Sequence, residues 1–123
     1  MKKILVVDDE LEIAELLRKK FEANNYQAII ALDGKHALIR CAEDKPDLVL
    51  LDVAMPELDG YQTCEKLKQD KNTKNIPVVF LTAYDLSPKG MDERYTKLGA
   101  AGYLPKPSTF KEILEKVKEI IGE

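Results

Sequence analysis

Five short apolar segments alternate along the chain with longer segments in which apolar residues recur every three or four positions. Apolar runs of this length, rich in branched side chains, are typical of parallel strands that are covered on both faces. The three- and four-residue spacing predicts amphipathic helices between them. The predicted strands lie at 4–7, 27–31, 48–51, 78–81 and 102–104. The pattern therefore predicts an α/β fold of the (βα)5 type, a doubly wound parallel five-stranded sheet with helices on both faces.

Residues that begin and end helices support this pattern. Asp33 and Asp59, each followed by a glycine, are expected to open the second and third helices, and Gly99 is expected to end the fourth. The segment 9–12 resembles a capping box, which predicts that the first helix begins there. The segment 88–98 starts with a proline but has few apolar residues, so its helix is expected to be the least firmly packed.

Length, charge and composition exclude several classes of protein. The 123 residues suit one domain spanning 1–123, with no output domain in this chain, and the net charge of −3 argues against direct nucleic-acid binding. The apolar runs are too short to cross a membrane, so a cytoplasmic protein is expected. Cys41 and Cys64 fit no C-x-x-C spacing and are expected to be free thiols on helices. The single histidine, His36, is expected on a helix surface and excludes an all-histidine catalytic or zinc site.

Charged and hydroxyl side chains follow four of the predicted strands. These residues are Asp8 and Asp9 after the first, Asp52 after the third, Thr82 after the fourth and Lys106 after the fifth. In an open parallel sheet the carboxyl ends of the strands carry the functional site, so these side chains are expected to meet. Three close carboxylates repel one another, and a hard cation with oxygen ligands, such as Mg²⁺, offsets that repulsion.

This set of groups predicts a phosphoryl-transfer site. Asp52 ends the central strand and is the candidate nucleophile, while Lys106 offers a positive charge and Thr82 a hydroxyl donor to phosphoryl oxygens. Each residue also has a simpler interpretation. Asp9 taken singly would more often be a helix N-cap, Asp8 and Lys106 solvated surface residues, and Thr82 a cap or strand residue. The functional hypothesis depends on the whole set.

The set, in this order, resembles the response-regulator receiver domain of two-component signalling, of the chemotaxis-regulator kind. The resemblance covers essentially the whole chain. Its matching stretches are 4–10, 46–56, 59–60, 77–83 and 99–107. It implies a flavodoxin-like fold with strand order 2-1-3-4-5.

The resemblance also implies a role for each residue at the acidic end. Asp52 accepts a phosphoryl group, and Lys106 pairs with that group. Mg²⁺ is held by Asp9, Asp52 and the backbone carbonyl of Ala54, with Asp8 acting through water.

Two further sets of residues have implied roles. Thr82 moves toward the phosphoryl group on activation and Tyr103 turns inward with it, while the Lys106–Pro107 peptide bond is expected to be cis. Ala54 and Tyr84 stand where family members tune phosphoryl lifetime. Because Ala54 cannot orient a water molecule and Tyr84 could shield one, slow self-hydrolysis is predicted.

The implied partners are a sensor histidine kinase or phosphotransfer protein, which supplies the phosphoryl group, and a downstream protein target. The target is expected on the face made by helix 88–98, the fifth strand and the last helix. The chain is expected to be a monomer or an activation-dependent dimer, and a regulator, not an enzyme.

Three rival interpretations remain. A haloacid-dehalogenase-type phosphatase also uses an aspartate after an apolar strand, but it needs a second aspartate where Ala54 stands. A flavin-binding module would need a phosphate cradle where Asp8 and Asp9 would repel the phosphate. A receiver-like scaffold that binds partners without phosphorylation stays open as the alternative.

Overall fold

Five strands and five helices alternate in the computed structural model, which describes residues 1–83 and 88–122. The strands are β1 (Lys3–Val7), β2 (Gln27–Ala31), β3 (Leu48–Asp52), β4 (Val78–Thr82) and β5 (Gly102–Pro105). The helices are α1 (Leu11–Ala23), α2 (Gly34–Asp44), α3 (Gly60–Gln69), α4 (Pro88–Leu98) and α5 (Phe110–Ile121).

The strands form one parallel sheet in the order β2-β1-β3-β4-β5. Leu50 of the central strand pairs with Val6 on one side and Val79 on the other, and all three are buried. The apolar runs are continuous because both faces of this sheet are covered. The predicted α/β class and strand order are confirmed.

The side chains of each strand alternate between two hydrophobic clusters. Ile4, Val6, Leu48 and Leu50 belong to the cluster that α1 and α5 cover. Their neighbours along the strands, such as Leu5 and Val49, belong to the cluster on the side of α2, α3 and α4. Helices therefore lie on both faces, as the sequence predicts.

The helix ends agree with the sequence at three of four positions. The side chain of Asp33 caps α2, Asp59 caps α3 in a capping box with Gln62, and Gly99 follows α4 with a φ of 77°. The capping box expected at 9–12 is wrong. The N-cap residue of α1 is Glu10, which makes no side-chain cap.

Both cysteines are free and buried, Cys41 in α2 and Cys64 in α3, as expected. His36 lies exposed on α2, with its ring 2.8 Å from the Asp33 carboxylate. Among the described residues, no helix is long and apolar enough to cross a membrane.

Candidate functional site

The candidate site lies at the carboxyl-terminal edge of the sheet. Asp8 follows β1, Asp52 ends β3, Thr82 ends β4 and Lys106 follows β5. These four strands are successive neighbours in the sheet, so their ends lie side by side. The topology therefore places all four residues at one edge, which is where ligands bind in open parallel sheets.

Lys106 joins two buried carboxylates. Its Nζ atom lies 3.2 Å from Oδ2 of Asp52 and 3.4 Å from Oδ2 of Asp8. The side chains of Asp8 and Asp52 are only 1% and 4% exposed, whereas that of Lys106 is 29% exposed. Two acids and one ammonium leave an excess negative charge in a poorly solvated place, so the site favours a further cation.

The protonation equilibria reflect this crowding. Burial raises the pKa of Asp52, and the charge of Asp8 raises it further, while Lys106 and the Ala54 amide act in the opposite direction. Burial lowers the pKa of Lys106, but the two carboxylates outweigh it and leave that pKa above its usual value. The lysine therefore stays charged, whereas the ionised form of Asp52 is the one that the surroundings disfavour.

The backbone holds Lys106 in place from both sides. Its amide donates to the carbonyl oxygen of Thr82 at 2.8 Å, which ties the segment after β5 to the end of β4. The Lys106–Pro107 peptide bond is cis. The hydroxyl of Ser108 donates to the carbonyl oxygen of Pro105 at 2.6 Å and closes the turn around the lysine.

The segment after β3 folds back over Asp52. The Ala54 amide donates to Oδ1 of Asp52 at 3.3 Å, and the Gly60 amide donates to the carbonyl oxygen of Val53 at 2.9 Å. A Cβ atom at Gly60 would overlap the carbonyl oxygen of Asp52. Glycine at this position therefore lets α3 begin directly against the end of the central strand.

Three consecutive acids form a second feature of the site. One carboxylate oxygen from each of Asp8, Asp9 and Glu10 lies within 4.8 Å of the others, with Asp8 buried and the other two exposed. The Glu10 amide donates to Oδ1 of Asp8 at 2.9 Å, so the buried acid fixes the start of α1. Oxygen ligands of this kind suit Mg²⁺.

Glu10 is the residue of this cluster that the sequence analysis missed. Among the described residues it is Glu10, not Asp52, that completes the group of three mutually close acids, while Asp52 is linked to Asp8 through Lys106. The run of three acids after the first apolar segment was the available signal.

Thr82 and Tyr103 lie on the same face of the sheet. Leu81 lies on the other face. Tyr103 pairs with Phe80 in the β4–β5 register, and Thr82 lies two residues beyond Phe80, so alternation puts all three on one side. Thr82 is 3% exposed, and its hydroxyl donates to the carbonyl oxygen of Ala83 at 3.0 Å. Tyr84, the second residue implied in phosphoryl lifetime, lies outside the described residues.

An open groove of about 450 Å³ adjoins the site between α1 and the start of α5. Its wall includes Leu16, Pro107 and Phe110, and Lys106 borders it. Leu16 is 54% exposed, so the groove offers apolar surface close to the charged residues.

Parallel strands in this order with a buried acid–lysine cluster at their carboxyl ends define a CheY-like class of fold. Two solved structures agree with it, each with a TM-score of 0.89. Chemotaxis protein CheY4 of Vibrio cholerae is 27% identical, with 98% of each chain covered. The receiver domain of the Francisella response regulator 1452 is 34% identical, with 99% of this chain and 98% of the other covered.

Sequence comparisons give the family. The profile of the response regulator receiver domain matches residues 4–118. The alkaline phosphatase synthesis transcriptional regulatory protein PhoP of Bacillus subtilis is 42% identical, with 98% of this chain and 48% of that protein covered. Response regulator PleD of Caulobacter vibrioides is 42% identical, with 96% of this chain and 26% of PleD covered.

The chain belongs to the response regulator receiver domain family. Receiver domains are regulatory, and they interact with histidine kinases or phosphotransfer proteins and with effector domains. The chain spans about half the length of PhoP and about a quarter of PleD.

Proposed function

We propose that the chain is a phosphoacceptor signalling switch in which Asp52 takes a phosphoryl group from a sensor histidine kinase or phosphotransfer protein. The observation that carries this proposal is the Lys106 ammonium, 3.2 Å from a buried Asp52 carboxylate at the end of the central strand. A carboxylate in this position can act as a nucleophile while the ammonium neutralises charge on the incoming group.

The transfer requires a small number of events at Asp52. One carboxylate oxygen forms a bond to phosphorus as the bond to the donor's imidazole nitrogen breaks, and the nitrogen keeps the electron pair. Lys106 stabilises the charge on the phosphoryl oxygens as it shifts from donor to acceptor. Burial that excludes water strengthens this electrostatic contribution.

The acids that follow β1 support a role for Mg²⁺ in the proposal. Asp9 and Asp52 would hold the ion together with the carbonyl oxygen of Ala54, with Asp8 acting through water, and Glu10 lies close to both Asp8 and Asp9. When bound, the ion supplies positive charge to the phosphoryl oxygens. Without it, the two carboxylates paired to one lysine would repel an anionic donor.

The relay to a target would pass through Thr82 and Tyr103. A phosphoryl group on Asp52 adds strong acceptors near the end of β4, and the Thr82 hydroxyl is a donor that can reorient toward them. Movement of Thr82 changes the space on the sheet face that Tyr103 shares. The downstream target would then recognise the face made by α4, β5 and α5.

The proposal is tested by incubating the protein with acetyl phosphate, with and without Mg²⁺, and measuring its intact mass. Here the bond to the acetate oxygen breaks and acetate leaves. The wild type is expected to gain one phosphoryl group only with Mg²⁺, and Asp52→Asn to gain none. Asp59→Asn is the matched control, because asparagine caps a helix as well as aspartate does.

A gain that persists in Asp52→Asn would contradict the assignment of the acceptor. No gain in the wild type, with Mg²⁺ binding intact, would favour a scaffold that binds partners without phosphorylation.

Phosphoryl lifetime gives a second, finer test. The Ala54 methyl group cannot orient a water molecule toward the phosphoryl group, which supports slow self-hydrolysis. Ala54→Asn introduces a side chain that can do so and is expected to shorten the half-life of the phosphorylated protein, with Tyr84→Ala acting in the same direction. Unchanged half-lives in both variants would refute this account.

A further inference from the structure

A hydrogen bond links the fifth strand to the fourth helix. The hydroxyl of Tyr103 donates to Oδ1 of Asp92 at 3.0 Å in an exposed position. Asp92 lies in the first half of α4, and Tyr103 lies within β5. The hydroxyl end of the Tyr103 ring is thus bonded to the helix that directly precedes β5 along the chain.

A ring contact supports the same placement. The centroid of Tyr103 lies 5.2 Å from that of Tyr95, and the two rings are tilted by 52°. Tyr95 follows Asp92 by three positions, so both residues lie on adjacent turns of the same side of α4. Two side chains of one helix therefore fix the direction in which the Tyr103 ring points.

The helix that provides these contacts has little packing of its own. Among residues 89–98, Met91 alone is buried, while Asp92 and most of its neighbours are exposed. An element with few buried apolar contacts can shift at low cost in free energy. The position of α4 then depends largely on polar contacts such as the one between Asp92 and Tyr103.

We propose that Asp92 holds Tyr103 against α4 and thereby stabilises the unphosphorylated conformation of the chain. The inference rests on the proposed function, in which Tyr103 turns inward on activation. To turn inward, Tyr103 gives up its hydrogen bond to Asp92 and its contact with the Tyr95 ring. Asp92 is a positioning residue in this account and takes no part in phosphoryl transfer.

The direction of the effect follows from linkage. Phosphorylation shifts the chain toward the inward conformation, so any contact made only in the outward conformation opposes phosphorylation by the same free energy. Loss of an exposed hydrogen bond of this kind is expected to raise the ratio of inward to outward conformers by about two- to tenfold. If the inward conformer is the one that accepts the phosphoryl group, the phosphorylation rate rises by up to the same factor.

The test uses protein labelled with 3-fluorotyrosine, in which the ¹⁹F resonance of Tyr103 is identified by its loss in Tyr103→Phe. In unphosphorylated Asp92→Ala, this resonance is expected to move toward the position that it takes in the phosphorylated wild type. Asp92→Asn keeps an acceptor oxygen and is expected to stay close to the wild type. Glu93→Ala removes the same charge from the next exposed position of α4 and is expected to change neither resonance nor rate.

The outcomes separate this inference from the function on which it rests. A wild-type chain that gains no phosphoryl group from acetyl phosphate overturns the proposed function. A wild type that gains one while Asp92→Ala keeps the wild-type resonance and rate overturns only the role of Asp92. An equal effect of Glu93→Ala also overturns it, because the cause would then be the net charge of the helix.

Discussion

The helices α4 and α5 flank the same edge strand, β5, but they are held in different ways. Helix α5 buries Ile113 and Val117, packs four further partly buried apolar side chains against the core, and begins with a capping box. Within its described residues, α4 buries only Met91, packs two partly buried side chains, Tyr95 and Leu98, against the core, and makes exposed contacts through Asp92 and Arg94. The difference indicates that α5 is part of the rigid frame, while α4 can take more than one position at low cost.

The largest expected effect is the loss of a buried side chain from α5. Ile113→Ala removes three carbon atoms from a site that is 4% exposed and is expected to lower the free energy of unfolding by about 3 kcal/mol. Met91→Ala in α4, although fully buried, is expected to cost less. If α4 can open while the rest of the chain stays folded, the free energy of unfolding can fall by no more than the free energy of that local opening.

Urea unfolding gives the two free energies, and amide hydrogen exchange shows which helix opens. Met91→Ala should speed exchange in α4 while leaving α5 protected. Equal losses of unfolding free energy in the two variants, with α4 exchanging only through global unfolding, would show that α4 is held as firmly as α5.

The thiols of Cys41 and Cys64 report on the burial of the sheet face that α4 helps to cover. Burial raises the pKa of Cys41 to about 12 and that of Cys64 to about 11, and the Cys64 thiol contacts the carbonyl oxygen of Leu98 at the end of α4. Because the folded state keeps both protons to higher pH than the unfolded state, their stabilising contribution is complete below the usual thiol pKa and decreases above it. Between about pH 9 and 10 each thiol is expected to reduce stability by about 1 kcal/mol.

The measurement is the free energy of unfolding against pH for the wild type and for Cys41→Ala and Cys64→Ala. Each variant should lose its part of the alkaline decrease. A decrease that is unchanged in both would show that other groups, such as tyrosines and lysines, cause it.

The cap of α5 has an expected effect similar in size to that of one thiol. The Thr109 hydroxyl accepts from the Glu112 amide, and the Glu112 carboxylate accepts from the Thr109 amide. Thr109→Ala is expected to lower the free energy of unfolding by about 1 kcal/mol, whereas Thr109→Ser should retain most of it. Equal stability of the alanine and serine variants would mean that the cap adds little to an already well-packed helix.

The smallest expected effect concerns the contact between α4 and α3. The guanidinium of Arg94 lies 4.7 Å from the centroid of the Tyr61 ring. Arg94→Ala is expected to cost about 0.5 kcal/mol, visible as roughly twofold faster amide exchange in α4. Arg94→Lys keeps a cation and should change the rate less. A change spread evenly over α4 and α5 would contradict the local origin of the effect.

Much of the fold was predictable because its signals are local and repeated. Continuous apolar runs such as Leu48–Asp52, ending in an acid, predict both a covered strand and the edge of the sheet at which its terminal carboxylate lies. Asp33 and Asp59 predict helix starts because their side chains reach backbone amides only three residues away.

The start of α1 was not predictable in the same way. The letters at 9–12 match a capping box with Asp9 as N-cap, but α1 begins one residue later, with Glu10 as N-cap and its amide bonded to Asp8. The contact between Tyr103 and Asp92 was equally hidden. It depends on how α4 lies against β5, which the polar sequence of α4 leaves open.

Gly60 divides the segment around Asp52 into positions with unequal tolerance of mutation. Ala54 and Pro56 are exposed to solvent, whereas even a methyl group at position 60 would overlap the Asp52 carbonyl oxygen. A substitution at Gly60 would therefore displace the backbone beside Asp52, although glycine carries no reactive group. The position of the Asp52 carboxylate thus depends on a residue that has no side chain of its own.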